Sequence, residues 1–253
     1  GQTEMIGTEK NRFFGTLDGQ GHTVTINLVA SGKNTALVAY LSGTVRNLHV
    51  SGNIKTDFQH VGGVVGTSIG GIVYNCSSDV NMTTSVSGDA TCGGILALSN
   101  TATVVANCVY SGTISGSLAT NCGGIVGWCD NSVTVENCLQ IATISVQADG
   151  SHTWARNPDK LTLKNSYYLT PFGTTAGTLT TKEKLASGET CYALNAGNSE
   201  NPAWFQTLGT DSVPSLIPGS VVYKYGDLFI NEKPNFQLNA FAYDVKGGTD
   251  ANE

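Results

Sequence analysis

The chain of 253 residues has a formal net charge of -6, with only 13 Lys and Arg and no basic run, so it lacks the electrostatic footprint of a phosphate-binding surface and nucleic acid is not an expected partner. Only 13% of residues are charged, while 31 glycines accompany an excess of Asn, Thr, Ser and Val, a composition of many short strands and turns. No apolar run is long enough to span a bilayer, and seven cysteines make an odd number for a disulfide framework.

Taken from the start, Phe14-Gly15-Thr16-Leu17-Asp18-Gly19-Gln20-Gly21-His22-Thr23-Val24 reads as a strand, a tight turn and a second strand, with Asp18 as a turn residue. A repeat follows. Gly-Gly before apolar residues recurs as Gly62-Gly63-Val64-Val65-Gly66, Gly93-Gly94-Ile95-Leu96-Ala97 and Gly123-Gly124-Ile125-Val126-Gly127, at steps of 31 and 30 residues, with a weaker form at Thr35-Ala36-Leu37-Val38-Ala39. A second pattern places an apolar residue seven positions after an Asn: Asn47 to Ile54, Asn75 to Met82, Asn107 to Ile114 and Asn137 to Ile144, beginning again at Asn165.

Each unit thus holds a Gly-Gly strand, a Val-rich strand ending at the Asn and a third strand after it. Such units predict an all-β fold, a right-handed parallel β-helix of about five coils between Gly15 and Tyr168, in which like residues stack at the ~4.8 Å strand spacing. The Asn ladder is placed at turns, because Asn tolerates left-handed backbone and its amide can bond the amide of the next coil. The rival reading is a polar ligand-binding row.

Cys76, Cys108 and Cys138 each follow a ladder Asn, and Cys92 and Cys122 each precede a Gly-Gly pair, which predicts stacked, buried free thiols. Cys129 and Cys191 fall outside both ladders, and their pairing is left open. Residues 180 to 195 read as short helical turns with Thr180 or Thr181 as N-cap and Gly188 as a stop, and with Trp204, Phe205 and Leu208 they are expected to lid the last coil. Alternating apolar positions from Val221 to Phe241 predict further strands. The resulting division is a β-helix over 1 to 170, a cap with short helices and added strands over 171 to 245, and a polar tail over 246 to 253.

Paired-acid chemistry needs two carboxylates roughly 5 to 9.5 Å apart. Aligned on the Asn, Asp79 falls with Ser51, Ser111 and Ile141, and Glu136 falls with Arg46, Tyr74, Ala106 and Lys164, so neither column stacks acids. His-Glu-x-x-His and Gly-x-Ser-x-Gly are both missing, and His22, His49, His60 and His152 share no column, so a structural or surface role is expected of each. No catalytic residue, metal or cofactor is expected. Binding is the remaining class: Tyr40 and Trp128 align across Thr67 and Leu98, Tyr110 and Tyr168 align across Gln140, and Asp130 lies near Trp128. These five, Tyr40, Trp128, Asp130, Tyr110 and Tyr168, are the candidate ligand-binding residues, since aromatics beside polar groups suit sugar rings, although the aromatics suit core or cap packing equally.

The Gly-Gly-Ile-Val-Gly units resemble the GLUG motif, and the Phe14 to Val24 stretch is similar to the opening coil of bacterial β-helix surface proteins. The resemblance covers residues 13 to about 170 and extends to Leu185-Ala186-Ser187-Gly188-Glu189-Thr190-Cys191-Tyr192-Ala193-Leu194-Asn195 and to Trp204 through Asp211. It implies an adhesin-like piece of a larger cell-surface (outer-membrane-attached) or secreted bacterial protein, monomeric, non-catalytic, and engaging a glycan or a host surface protein or acting as a spacer. The alternative is a carbohydrate-active β-helix enzyme, either a polysaccharide lyase or a glycoside hydrolase.

Overall fold

A computed structural model describes residues 4–234. Its strands wind into a parallel β-solenoid of about five coils. Among the described residues the one antiparallel strand pair is the hairpin of Tyr223–Tyr225 with Leu228–Ile230, in the cap. No described helix is long and apolar enough to cross a membrane.

Three inward columns fill the coil. Val45, Val73, Val105 and Val135 are register partners, as are Ile54, Met82, Ile114 and Ile144, and on the third wall Val38, Val65, Leu96, Val126 and Ala155. All but Ile144 are buried, and each large aliphatic removed from water contributes ~1.5–3 kcal/mol. The second column is the apolar position seven residues after each Asn.

Asn47, Asn75, Asn107, Asn137 and Asn165 all take left-handed backbone, with φ between 39° and 51°. Their amides link some coils directly: Asn75 Nδ2 donates to Asn47 Oδ1 at 3.3 Å and Asn165 Nδ2 to Asn137 Oδ1 at 2.8 Å. Asp18 ends the ladder in the first coil, its carboxylate accepting from Asn47 Nδ2 at 3.0 Å, from Gln20 N at 3.0 Å and from Arg46 Nε at 2.8 Å. These bonds, Asn47 first, hold the Asp18 carboxyl below its ordinary range.

After the first turn the next residue is the apolar Leu48; after each of the other four it points inward and donates to the carbonyl two positions back. Cys76 Sγ reaches Tyr74 O at 3.3 Å, Cys108 Sγ reaches Ala106 O at 3.2 Å, Cys138 Sγ reaches Glu136 O at 3.2 Å, and Ser166 Oγ reaches Lys164 O at 2.8 Å. A thiol and a hydroxyl therefore fill one structural role. Glu136 and Lys164 are register partners, as their common place before the Asn requires.

All seven cysteines are free and buried, with Cys129 in the solenoid core and Cys191 in the cap cluster, so those two do not pair. Burial pushes the Cys129 and Cys191 thiols up to about 12, and burial together with the neighbouring thiols pushes Cys108 well above its ordinary value. Since all seven are shut away from solvent, an aromatic disulfide reagent is expected to modify none of them in the native protein and all seven after unfolding. Rapid modification of even one thiol under native conditions would contradict the packing.

The Gly-Gly pairs answer two separate demands. A Cβ on the first glycine would lie 1.9 to 2.0 Å from a carbonyl oxygen, that of Val65 for Gly62, Leu96 for Gly93 and Val126 for Gly123. On the second it would meet the next coil's carbonyl, at 2.1 Å from Gly63, 2.3 Å from Gly94 and 2.2 Å from Gly124, and in addition an inward side chain across the coil: Ser78 Oγ at 2.4 Å from Gly63, Tyr110 Cδ1 at 2.1 Å from Gly94, and Gln140 Cγ at 2.9 Å from Gly124.

The cap sits differently from the sequence expectation. Helices α1 (Lys182–Ala186) and α2 (Glu189–Leu194) form as read, with Thr181 Oγ1 accepting from Lys184 N at 3.2 Å and Gly188 at φ 86° between them. Their apolar residues Leu185, Cys191 and Leu194, with Trp204 and Val222, pack on Val109 and Leu139, outward residues of the solenoid wall. The cap therefore covers a side face. The top of the last coil is met instead by Thr178–Leu179, which pairs with Tyr167–Tyr168, and by Ala176 O, which accepts from Trp154 Nε1 at 2.8 Å. Asn165 Nδ2 binds α2's terminal carbonyls, Ala193 O at 2.9 Å and Leu194 O at 3.3 Å, carrying the ladder into the cap. The expected strand positions Phe236, Leu238 and Phe241 and the tail from Lys246 lie outside the described residues.

Candidate ligand-binding trough

One wall of the solenoid is a sheet of Val38–Leu41, Val65–Ser68, Leu96–Ser99, Val126–Cys129 and Ala155–Arg156. Leu41, Ser68, Ser99 and Cys129 are buried, so by alternation the residue just before each faces the opposite side. The outward column is Tyr40, Thr67, Leu98, Trp128 and Arg156, in register from coil to coil. Four steps at the ~4.8 Å strand spacing give it a length of about 19 Å.

A second line of left-handed residues flanks this column: Asn34, His60, Thr91 and Asn121, with φ of 67°, 65°, 48° and 60°, continued by Gly150 at 59°. They turn the chain just before the Gly-Gly strand, and the side chains of Asn34, His60 and Thr91 reach toward the outward column. Asn34 Nδ2 donates to Tyr40 Oη at 2.6 Å, while Asn34 Oδ1 accepts from Thr67 Oγ1 at 2.7 Å and lies 3.1 Å from His60 Nδ1. Because Asn34 Oδ1 can only accept, Nδ1 carries the proton and Nε2 is left as an acceptor. Burial, then Lys33, pushes the His60 imidazole below its ordinary value, so it is neutral at neutral pH.

Toward the other end the His60 and Trp128 rings are 6.5 Å apart and tilted by 49°. The Arg156 guanidinium carbon stands 4.9 Å from the Trp128 ring centroid, and Nη1 bonds Asp89 Oδ2 at 2.8 Å. Asp89 Oδ1 accepts from Thr91 Oγ1 at 2.6 Å, which ties down a β-branched residue in left-handed backbone. Polar contacts thus flank both ends of an aromatic line. The open space beside Tyr40 has a volume of about 460 Å³ and is bordered by Lys33, Asn34, His60, Thr67 and Asn100.

Of the five candidate residues, Tyr40 and Trp128 come together here, both half-buried with an exposed part. Asp130 is exposed just past the strand end, where its backbone carbonyl accepts from Lys160 Nζ, and its carboxylate takes no part in the network described. Tyr110 and Tyr168 are corrections. They share a column with Gln140 as aligned, but the column faces inward: Tyr110 is 0% exposed with its hydroxyl on Val80 O at 2.9 Å, and Tyr168 packs edge-on to Trp154. The residues missed are His60, Asp89 and Arg156. Arg156 stands in a coil whose Gly-Gly is replaced by His152-Thr153, so the motif that aligned the others gave no register there.

No carboxylate pair appears in the two columns tested, Asp79 facing His49 and Glu136 partnering Lys164, and the trough's Asp89 is engaged by Arg156. Among the described residues no group of three or more His, Cys, Asp or Glu is placed to hold a metal ion. No family model matches the chain, and no curated protein matches it. Among solved structures it is similar to a candidate immunoglobulin A1 protease from Bacteroides ovatus, at 16% identity and a TM-score of 0.55, over 81% of this chain and 70% of that one. At that identity the likeness shows the fold alone.

Proposed function

We propose that the chain is a recognition module of an exported bacterial protein, at the cell surface or secreted, and that the trough from Tyr40 to Arg156 binds an extended glycan. The observation that carries this reading is the alignment of Tyr40 and Trp128 along the solenoid axis, each joined to polar side chains. Sugar rings present flat apolar faces and hydroxyl rims, which such a line matches. The resemblance of the Gly-Gly repeats to the GLUG motif supports an adhesin-like setting, as does a fold consistent with surface proteins. A fold hosts many functions, so the assignment rests on the trough.

A glycan array probed with the purified chain is the test. Binding is expected among linear glycans of several sugars, because a column of about 19 Å spans more than one ring. An array with no hits above background would remove the glycan reading and leave a protein ligand or a spacer role.

A further inference from the structure

Away from the trough, the wall that carries the cap brings together three side chains from two successive repeats, His49 from one and Ser77 and Asp79 from the next. His49 and Ser77 are register partners on adjacent coils, and Asp79 follows two residues after Ser77, just past the end of the strand. Ser77 Oγ lies 2.7 Å from His49 Nδ1, and on the other side of the ring His49 Nε2 lies 3.4 Å from Asp79 Oδ2. A carboxylate on Nε2 favours the proton there, which leaves Nδ1 to accept from the serine hydroxyl. Asp79 Oδ1 is buried without a hydrogen-bond partner, so that oxygen's charge is not committed to another donor. The order hydroxyl, imidazole, carboxylate is that of an activated serine, with the two ring nitrogens exchanged relative to the serine-protease triad.

The group is accessible. His49 and Ser77 line a cleft of about 310 Å³ between the solenoid wall and the cap segment 202–218, whose apolar side is formed by Phe205, Leu216 and Ile217. Gln20 lines the same cleft and carries a side-chain amide able to donate to a developing oxyanion. A lone hydroxyl contact between coils has no need of these features; the neighbouring pair Thr25 and Ser51 makes one at 2.9 Å with no imidazole involved.

We propose that Ser77 is a nucleophile activated by His49, and that this cleft hydrolyses esters of short acyl groups, an activity beyond ligand binding in the trough. Ser77 Oγ bonds to the ester carbonyl carbon while its proton passes to His49 Nδ1. The bond from that carbon to the alkoxy oxygen then breaks, and the alcohol leaves with the proton. Water attacks the acyl-serine, gives a proton to His49, and the acid departs as Ser77 Oγ recovers it. Ester and water become acid and alcohol, with no other reactant. Asp79 is a positioning residue, its carboxylate 3.4 Å from Nε2 orienting the ring so that Nδ1 faces Ser77.

The test treats the full chain with an alkyl fluorophosphonate, maps the label by peptide mass, and follows hydrolysis of p-nitrophenyl butyrate. One label on Ser77 is expected, with His49→Gln slowing labelling and hydrolysis by on the order of 10²- to 10⁴-fold. Asp79→Asn is expected to slow labelling by about tenfold and to move its pH profile, with partial recovery in Asp79→Glu. No label, a label on another serine, or an unchanged rate in folded His49→Gln would overturn the proposal. The mapping on unaltered protein decides the matter even if a variant fails to fold. Glycan binding reads the trough and not this cleft, so either reading can fail without the other.

Discussion

Replacing Gly94 with valine is expected to cost about 3 kcal/mol or more, enough to leave a marginal domain largely unfolded. The reason is that the first atom of any side chain there would sit 2.1 Å from Tyr110 Cδ1 and 2.3 Å from Gly124 O. Tyr110 cannot retreat easily, since it is 0% exposed and its hydroxyl is held by Val80 O. Gly124 O belongs to the stacked backbone and accepts from Gly94 N at 3.1 Å. The control is Gly21→Ala, where no atom lies within 4 Å of the added Cβ and only the φ of 81° opposes it, for an expected cost of about 1 kcal/mol. Urea unfolding of both variants checks the ranking. A Gly94 variant as stable as the Gly21 variant would mean that the second glycine of the pair is not a packing requirement.

The architecture was legible because every coil repeats the same steric problem with the same residue. Asn recurs where φ must be positive, and Gly-Gly recurs where a Cβ would strike a carbonyl and then an inward side chain. The second left-handed line was hidden because Asn34, His60, Thr91, Asn121 and Gly150 solve one backbone problem with different residue types. Tyr110 and Tyr168 carry no inward signature in the sequence because Gln140 stands between them in the column. The room for Tyr110 comes from Gly94 across the coil, a relation between distant parts of the repeat that alignment in one column does not show. The side-on cap follows from Val109 and Leu139, apolar outward residues at the positions where earlier coils carry His49 and Ser77. Ser77 and Asp79 met His49 only through that same register.

In the trough, Trp128→Ala is expected to weaken glycan binding by at least about tenfold, since loss of a stacked aromatic costs ~1–3 kcal/mol or more when the group is a binding hot spot. The change also removes the face on which the Arg156 guanidinium rests, leaving that side chain only its bonds to Asp89 and Thr91. Tyr40→Phe separates the ring from its hydroxyl. It keeps the apolar face but leaves Asn34 Nδ2 without the 2.6 Å acceptor, and a smaller loss is expected, about two- to tenfold for one hydrogen bond. Calorimetric titration with an array-selected oligosaccharide gives both values. The stability of either variant should change little beside the Gly94 variant, because both rings are half-exposed on the outer wall.

The most direct measurement is a crystal structure of the chain with such an oligosaccharide bound. The expected result is a sugar ring stacked on Trp128, with the glycan running along the axis toward Tyr40 and its hydroxyls on His60 Nε2 and the neighbouring amides. A glycan bound on another face, with the Tyr40 to Arg156 column left bare, would contradict the account.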